Sequence, residues 1–164
     1  IVEGLNQFSR DSEKYDENCH IHSILDNCHT MLNNQFKDRI QLHCQYNAEK
    51  DLIIGNSGKL HQVFLNILTN ATQAIKDKGE VVVCTSITDK QTLEVSIKDN
   101  GEGISESELP KITDPFYTTK APGEGTGLGL SITYNILQDH RGDITFASRK
   151  GVGTTVTVTL PFTK

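Results

Sequence analysis

No run of lysine or arginine occurs anywhere in the chain, and the formal charge is -5. Phosphate-backbone binding needs concentrated positive charge, so a nucleic-acid groove and a polybasic membrane anchor are both excluded. No stretch approaches the roughly 18 consecutive apolar residues of a membrane span. The opening Ile1-Val2-Glu3-Gly4 also lacks the basic-then-apolar pattern of a secretory signal. Close cysteine pairs are missing too: Cys19, Cys28, Cys44 and Cys84 are scattered, which fits reduced thiols in a cytoplasmic protein rather than a disulfide framework. Cys19, His20, His22, Cys28 and His29 lie on one helical stretch without the paired spacing that closes a zinc site. There is no internal repeat and no low-complexity segment. At 164 residues the chain suits one domain with a short extension, and it is large enough to bury a core. It begins on Ile in helix-like sequence, as though cut from a longer parent that could itself be membrane-anchored.

What is present is periodic. Residues 1–18 pass from Ile1, Val2, Leu5 and Phe8 into a charged stretch, reading as a helix end and a linker. Ile21, Ile24, Leu25, Cys28, Met31 and Leu32 recur at helical spacing, predicting a helix from His20 to about Lys37. Ile40, Leu42, Cys44 and Tyr46 alternate with polar residues, and residues 51–55 form a short apolar run, so two strands follow. The clearest pattern predicts a helix from about Ser57 to Asp77, with Leu60, Val63, Phe64, Ile67, Leu68, Ala71, Ala74 and Ile75 on one face. Asn66 and Asn70 lie one turn apart along an edge of that stripe. Gly79 ends the helix, a strand opens at Val81, and Leu93, Val95 and Ile97 alternate in its neighbour, with Asp99 keeping the inward parity. Residues 100–126 read as an irregular segment with a short helix near 106–111 and a Pro/Gly/Thr loop of the length reserved for functional lids. A helix from Leu128 to about Asp139 comes next. Ile144 and Phe146 then alternate in a strand, Gly151 to Gly153 makes a hairpin, and Val156, Val158 and Leu160 alternate in the last strand, turning Thr154 inward. This order predicts an α+β two-layer sandwich, a mixed and mostly antiparallel sheet with helices on one face.

Asp99 is the most informative residue, because an inward carboxylate must find a donor. The exocyclic amine of adenine is one, and Gly101 and Gly103 allow close backbone approach, although Asp-Asn-Gly is also ordinary strand-ending turn chemistry. Asn70 offers a neutral amide oxygen suited to Mg²⁺ held mainly by triphosphate and water. Asn66, a turn earlier, can hold a water or a phosphate. Gly125, Thr126, Gly127, Leu128 and Gly129 lead into a helix whose N-terminus favours phosphate. This turn follows a loop rather than a strand, which sets it apart from a dinucleotide fold. Lys120 precedes it and can reach terminal phosphates. The hydroxyl of Thr154 can bond adenine or a bridging water.

These blocks, in this order, resemble the catalytic ATP-binding domain of a bacterial two-component sensor histidine kinase, in the superfamily that includes gyrase, heat-shock protein 90 and mismatch-repair ATPases. The resemblance spans about residues 20–162. Asn66 and Asn70 match the N box, Asp99, Gly101 and Gly103 the G1 box, residues 114–120 the F box, Gly125 to Gly129 the G2 box, and Gly153-Thr154 the adenine-side threonine. The Thr118-Thr119-Lys120 loop is similar to that of nitrogen-regulation-type kinases. The resemblance implies a Bergerat-type fold, with residues 1–18 as the end of a dimerisation helix and linker and 19–164 as the catalytic domain. It implies ATP and Mg²⁺ as cofactors, Asn70 as metal ligand, and Asn66, Asn70 and Lys120 as catalytic. Gln73, Ala74 and Ile104 join the nucleotide-contacting set, and residues 114–126 would form the ATP lid. The implied partners are a histidine-bearing dimerisation domain of the parent and a downstream response regulator.

Two departures from the family pattern matter. Gln73 stands where many such kinases carry a basic residue, which shifts charge neutralisation towards Lys120. None of His20, His22, His29, His43, His61 and His140 is followed by an acidic residue, so the phosphoacceptor box is absent and the chain is not expected to label itself. Water-activating relatives carry Glu where Asn66 stands, and an amide is no general base near neutral pH. The expected chemistry is therefore donation of the γ-phosphoryl group of Mg-ATP to a histidine elsewhere. A nucleotide-dependent interaction module and a serine-type protein kinase of the same superfamily are the alternatives.

Overall fold

The computed structural model describes residues 14–112 and 127–162. In chain order these form β1 (Glu17–His20), α1 (Ile21–Met31), α2 (Asn33–Phe36), β2 (Ile40–Tyr46), β3 (Leu52–Gly55) and α3 (Ser57–Ala74). They continue as β4 (Gly79–Ile87), β5 (Thr92–Asp99), α4 (Leu109–Ile112), α5 (Gly127–Asp139), β6 (Asp143–Arg149) and β7 (Gly153–Pro161). The main sheet has strand order β2-β4-β5-β7-β6. Only β2 and β4 run parallel, while the β4–β5, β5–β7 and β6–β7 pairs are antiparallel. β1 and β3 make a separate two-stranded antiparallel sheet. The α+β sandwich read from the sequence is the fold observed.

Alternation fixes which sheet face is buried. Val81, Val83, Leu93, Val95, Ile97, Val158 and Leu160 enter the core and meet Leu60, Val63, Phe64, Ile67 and Leu68 of α3, together with Leu137 of α5. Withdrawing a side chain such as Phe64 from water contributes about 1.5–3 kcal/mol, and α3 carries five such residues on one stripe. That is why its position is dictated by packing, and with it the position of the Asn66 edge.

The helix ends have identifiable causes. Asn56 caps α3 by accepting the Lys59 N–H at 2.9 Å. At the other end the Arg39 guanidinium donates to the carbonyls of Ile75 at 2.6 Å and Thr72 at 3.2 Å. These charge-assisted bonds satisfy terminal acceptors of the helix, and Ile75 is already extended, so α3 ends at Ala74 rather than at the expected Asp77. The helix expected to run from His20 to Lys37 breaks at Leu32, whose φ of -101° and ψ of 15° leave the helical region. The weak helix formers Asn33 and Asn34 follow the break. Helix α1 is capped from outside its own sequence, since Asp51 accepts the His22 N–H at 2.9 Å.

Strand β1 has no counterpart in the sequence reading. It begins at Glu17, and Lys14 and Tyr15 just before it are docked onto the domain. The Lys14 carbonyl accepts the Asn56 side-chain amide at 2.9 Å. Tyr15 donates its hydroxyl to Asp139 at 3.2 Å and accepts from Lys59 at 2.9 Å. Its ring stands edge-on to the His140 ring, with centroids 4.9 Å apart. His140 is buried at the end of α5, where its Nε2 accepts the Asn56 backbone N–H at 3.0 Å and its Nδ1 lies 2.7 Å from the Ile136 carbonyl. That pattern fixes a neutral ring with its proton on Nδ1, and burial lowers its pKa below the ordinary histidine value. Tyr15, the end of β3, the start of α3 and the end of α5 therefore meet at one imidazole.

Candidate functional site

At the end of β5, strand parity delivers Asp99 to the core face, where it is 5 % exposed. Its Oδ1 accepts the Gly101 N–H at 2.9 Å, and the Thr154 N–H also helps to hold the charge. Burial nevertheless dominates and raises the carboxyl pKa. Desolvation thus disfavours its charged form. Thr154 is its register partner on β7 and is also buried.

Two loops close around this pair. The Glu102 N–H donates to the Ala74 carbonyl at 2.9 Å, and the Gly151 N–H donates to the Glu102 carbonyl at 2.7 Å. The loop after Asp99 is thus clamped between the end of α3 and the β6–β7 hairpin. A Cβ on Gly101 would lie 2.5 Å from the Ala74 carbonyl oxygen. Gly103 has φ of +72° and lies against the Arg149 carbonyl. What demands these two glycines is the close approach of the protein's own backbone.

The α3 edge supplies the second wall. Asn66 and Asn70 are both half-buried there, followed by exposed Gln73 and half-buried Ala74. Asn66 donates through Nδ2 to Thr133 Oγ1 of α5 at 3.3 Å. One end of this edge is therefore tied to the helix that starts at Gly127, and the other to the loop after Asp99. Asp99, Gly101, Gly103, Ile104, Thr154 and Ala74 come together directly; Asn66 reaches α5 through Thr133, and Asn70 lies one turn further along the same helix edge. Gly127, Leu128 and Gly129 form the first turn of α5. Lys120, Gly125, Thr126 and the expected lid of residues 114–126 lie outside the described residues.

One site residue escaped the sequence reading. Ser148 Oγ accepts the Ile104 N–H at 2.8 Å, lies 2.7 Å from Thr154 Oγ1, and donates to the Gly153 carbonyl at 3.0 Å. The parity of Ile144 and Phe146 already pointed Ser148 inward, opposite Thr154 across the hairpin. Among the described residues no group of three or more His, Cys, Asp or Glu side chains is disposed to hold a metal. The four cysteines are free, and burial pushes the Cys28 thiol up to about 11, which keeps it protonated and unreactive. Among the described residues no helix is long and apolar enough to cross a membrane.

Residues 55–164 match the model of the histidine kinase-, DNA gyrase B-, and HSP90-like ATPase family. The chain is 36% identical to sporulation kinase E of Bacillus subtilis over 146 residues, covering 88% of this chain and 20% of that protein. It is 35% identical to the signal transduction histidine-protein kinase AtoS of Escherichia coli over 162 residues, covering 98% of this chain and 26% of that protein. It thus spans between a fifth and about a quarter of the length of these curated relatives. Among solved structures, the catalytic domain of histidine kinase ThkA superposes with a TM-score of 0.76 at 25% identity, covering 90% of this chain and 95% of that one.

Proposed function

Because the chain belongs to the histidine kinase-, DNA gyrase B-, and HSP90-like ATPase family, we propose that it is the ATP-binding catalytic domain of a cytoplasmic sensor kinase segment. In this reading it donates the γ-phosphoryl group of Mg-ATP to a histidine on the dimerisation domain of the parent, which then serves a response regulator. The observation that carries the reading is the buried Asp99–Thr154 pair at the β5–β7 seam, facing the Asn66–Ala74 edge of α3.

The residues present fit the nucleotide. The buried Asp99 carboxylate accepts from an exocyclic amine, and the first turn of α5 offers backbone N–H groups and a positive dipole end to phosphates. Asn70 is a neutral oxygen donor on an edge where, among the described residues, no carboxylate cage is disposed to hold a metal, in keeping with Mg²⁺ bound largely through substrate phosphates. Asn66 orients rather than deprotonates, because an amide has no basic site to give. Transfer breaks the bond between the γ-phosphorus and its bridging oxygen and forms one to the acceptor imidazole nitrogen. The domain contributes position and charge neutralisation, with Lys120 proposed as the cation on the terminal phosphates. His140, buried with both ring nitrogens engaged, is not available as that acceptor.

The test is to mix the protein with its histidine-bearing domain and γ-labelled Mg-ATP. Label should appear on the acceptor histidine and be lost with Asn70→Ala. Release of inorganic phosphate without acceptor labelling would refute the kinase reading in favour of an ATPase.

A further inference from the structure

Ser148 has one proton and three polar neighbours. The Ile104 N–H, at 2.8 Å, can only donate, and the Gly153 carbonyl, at 3.0 Å, can only accept. Thr154 Oγ1, at 2.7 Å, can do either. Only one arrangement turns all three contacts into hydrogen bonds: Ser148 accepts from Ile104, donates to Gly153, and accepts again from Thr154. The reverse assignment, in which Ser148 donates to Thr154, leaves two oxygens 3.0 Å apart with no proton between them. The Thr154 proton is consequently turned away from the pocket, and the hydroxyl presents only lone pairs beside the acceptor-only carboxylate of Asp99.

We propose that Ser148 is a specificity-determining residue, which by orienting the Thr154 hydroxyl as an acceptor makes the base site select a 6-aminopurine and reject a 6-oxopurine. The inference rests on the ATP-binding reading above and extends it to a residue that does not touch the base. A 6-amino group brings protons to the acceptor pair. A 6-oxo group brings a third acceptor against that pair, and the one proton a 6-oxopurine gains, on the neighbouring N1, can serve only one of the two; a buried polar group left without a partner is a strong means of rejection. A water bridging Thr154 to the base is oriented by the same rule, because it must donate to Thr154. Ser148 also holds the Ile104 N–H, so the device that sets the hydroxyl also anchors the loop after Asp99.

The test is calorimetric titration of wild type, Ser148→Ala and Ser148→Thr with magnesium ATP and magnesium inosine triphosphate, with thermal unfolding of each variant as a control. Wild type should prefer ATP. Ser148→Ala frees the Thr154 hydroxyl to donate outward, so the preference should fall by about tenfold, the worth of one redirected hydrogen bond. Ser148→Thr keeps the hydroxyl and should keep the preference. Equal loss of affinity for both nucleotides in folded Ser148→Ala would reduce Ser148 to a structural residue and overturn the proposal, as would a wild type that does not discriminate. A wild type that binds neither nucleotide overturns the ATP reading itself, and this inference falls with it.

Discussion

Gly55→Ala should destabilise the domain through His140, and that cost should vanish in a His140→Ala background. Gly55 ends β3 in ordinary backbone space, so alanine meets no conformational penalty there. A Cβ at this position, however, would lie 2.5 Å from His140 Nε2 and closer still to Cδ2. The ring cannot yield freely, since it is 7 % exposed and fixed by the Asn56 N–H at 3.0 Å and the Ile136 carbonyl at 2.7 Å. Overpacking of this kind costs about 1–3 kcal/mol, and releasing the buried Asn56 N–H adds a comparable amount, so about 3 kcal/mol is expected for Gly55→Ala. His140→Ala should cost a similar amount, about 3 kcal/mol, from the cavity and the same orphaned N–H. In the double variant the new methyl enters the vacated space, and its further cost should be within about 0.5 kcal/mol of zero. The coupling is then about 3 kcal/mol in magnitude. Urea unfolding at pH 7.5, with unchanged m-values as the two-state check, measures each corner of the cycle. Additivity of the two single substitutions to within about 0.5 kcal/mol would refute the steric reasoning.

Other outcomes follow from the same geometry. Burial holds the folded-state pKa of His140 below the ordinary histidine value of 6.5, so the unfolded chain binds the extra proton first. Stability should be full above that pH, fall as pH drops below it, and lose this slope in His140→Ala, as followed by urea midpoints against pH. The Asp99 pKa is raised above 3.8 by burial, so ionisation opposes folding increasingly as pH rises from that value through the folded pKa, and the cost persists at neutrality. Asp99→Asn keeps an acceptor for the Gly101 N–H and should raise the melting temperature of the ligand-free domain while abolishing ATP binding in calorimetry; wild-type affinity would rule out the adenine assignment. Arg39→Ala removes the charge-assisted bonds to the Thr72 and Ile75 carbonyls, and should cost about 2 kcal/mol in urea unfolding while weakening ATP binding through the Ala74–Glu102 contact.

Most of the site was legible because its residues obey a period. Asp99 and Thr154 could be placed opposite the core helices by counting along strands, and Asn66 and Asn70 by counting along a helix. The same count reached Ser148, but a serine carries no chemical signal until the hairpin sets it against Thr154. Where tertiary contacts decide, the local pattern misleads. The end of α3 depends on Arg39 from a distant loop, α1 is capped by Asp51, and β1 exists only because β3 offers it an edge. Gly101 and Gly103 were read as making room for a base, whereas the immediate pressure on them comes from the Ala74 and Arg149 carbonyls, which no periodicity reveals. The separation between Asp99 and α5 along the chain gave no clue that the Asn66 amide would bridge to Thr133.

The strand order has a further consequence, for how the chain reaches this state. The β4–β5 and β6–β7 pairs are hairpins that form from sequence-local contacts, whereas β5 and β7 must find each other across the whole intervening segment, a slower closure. Asp99 and Thr154 sit on opposite sides of that seam, so neither hairpin alone contains the proposed base site. A nucleotide has nothing to hold until the two halves have zipped together. It should therefore act as a latch on the finished sheet, slowing its opening without hastening the search that assembles it.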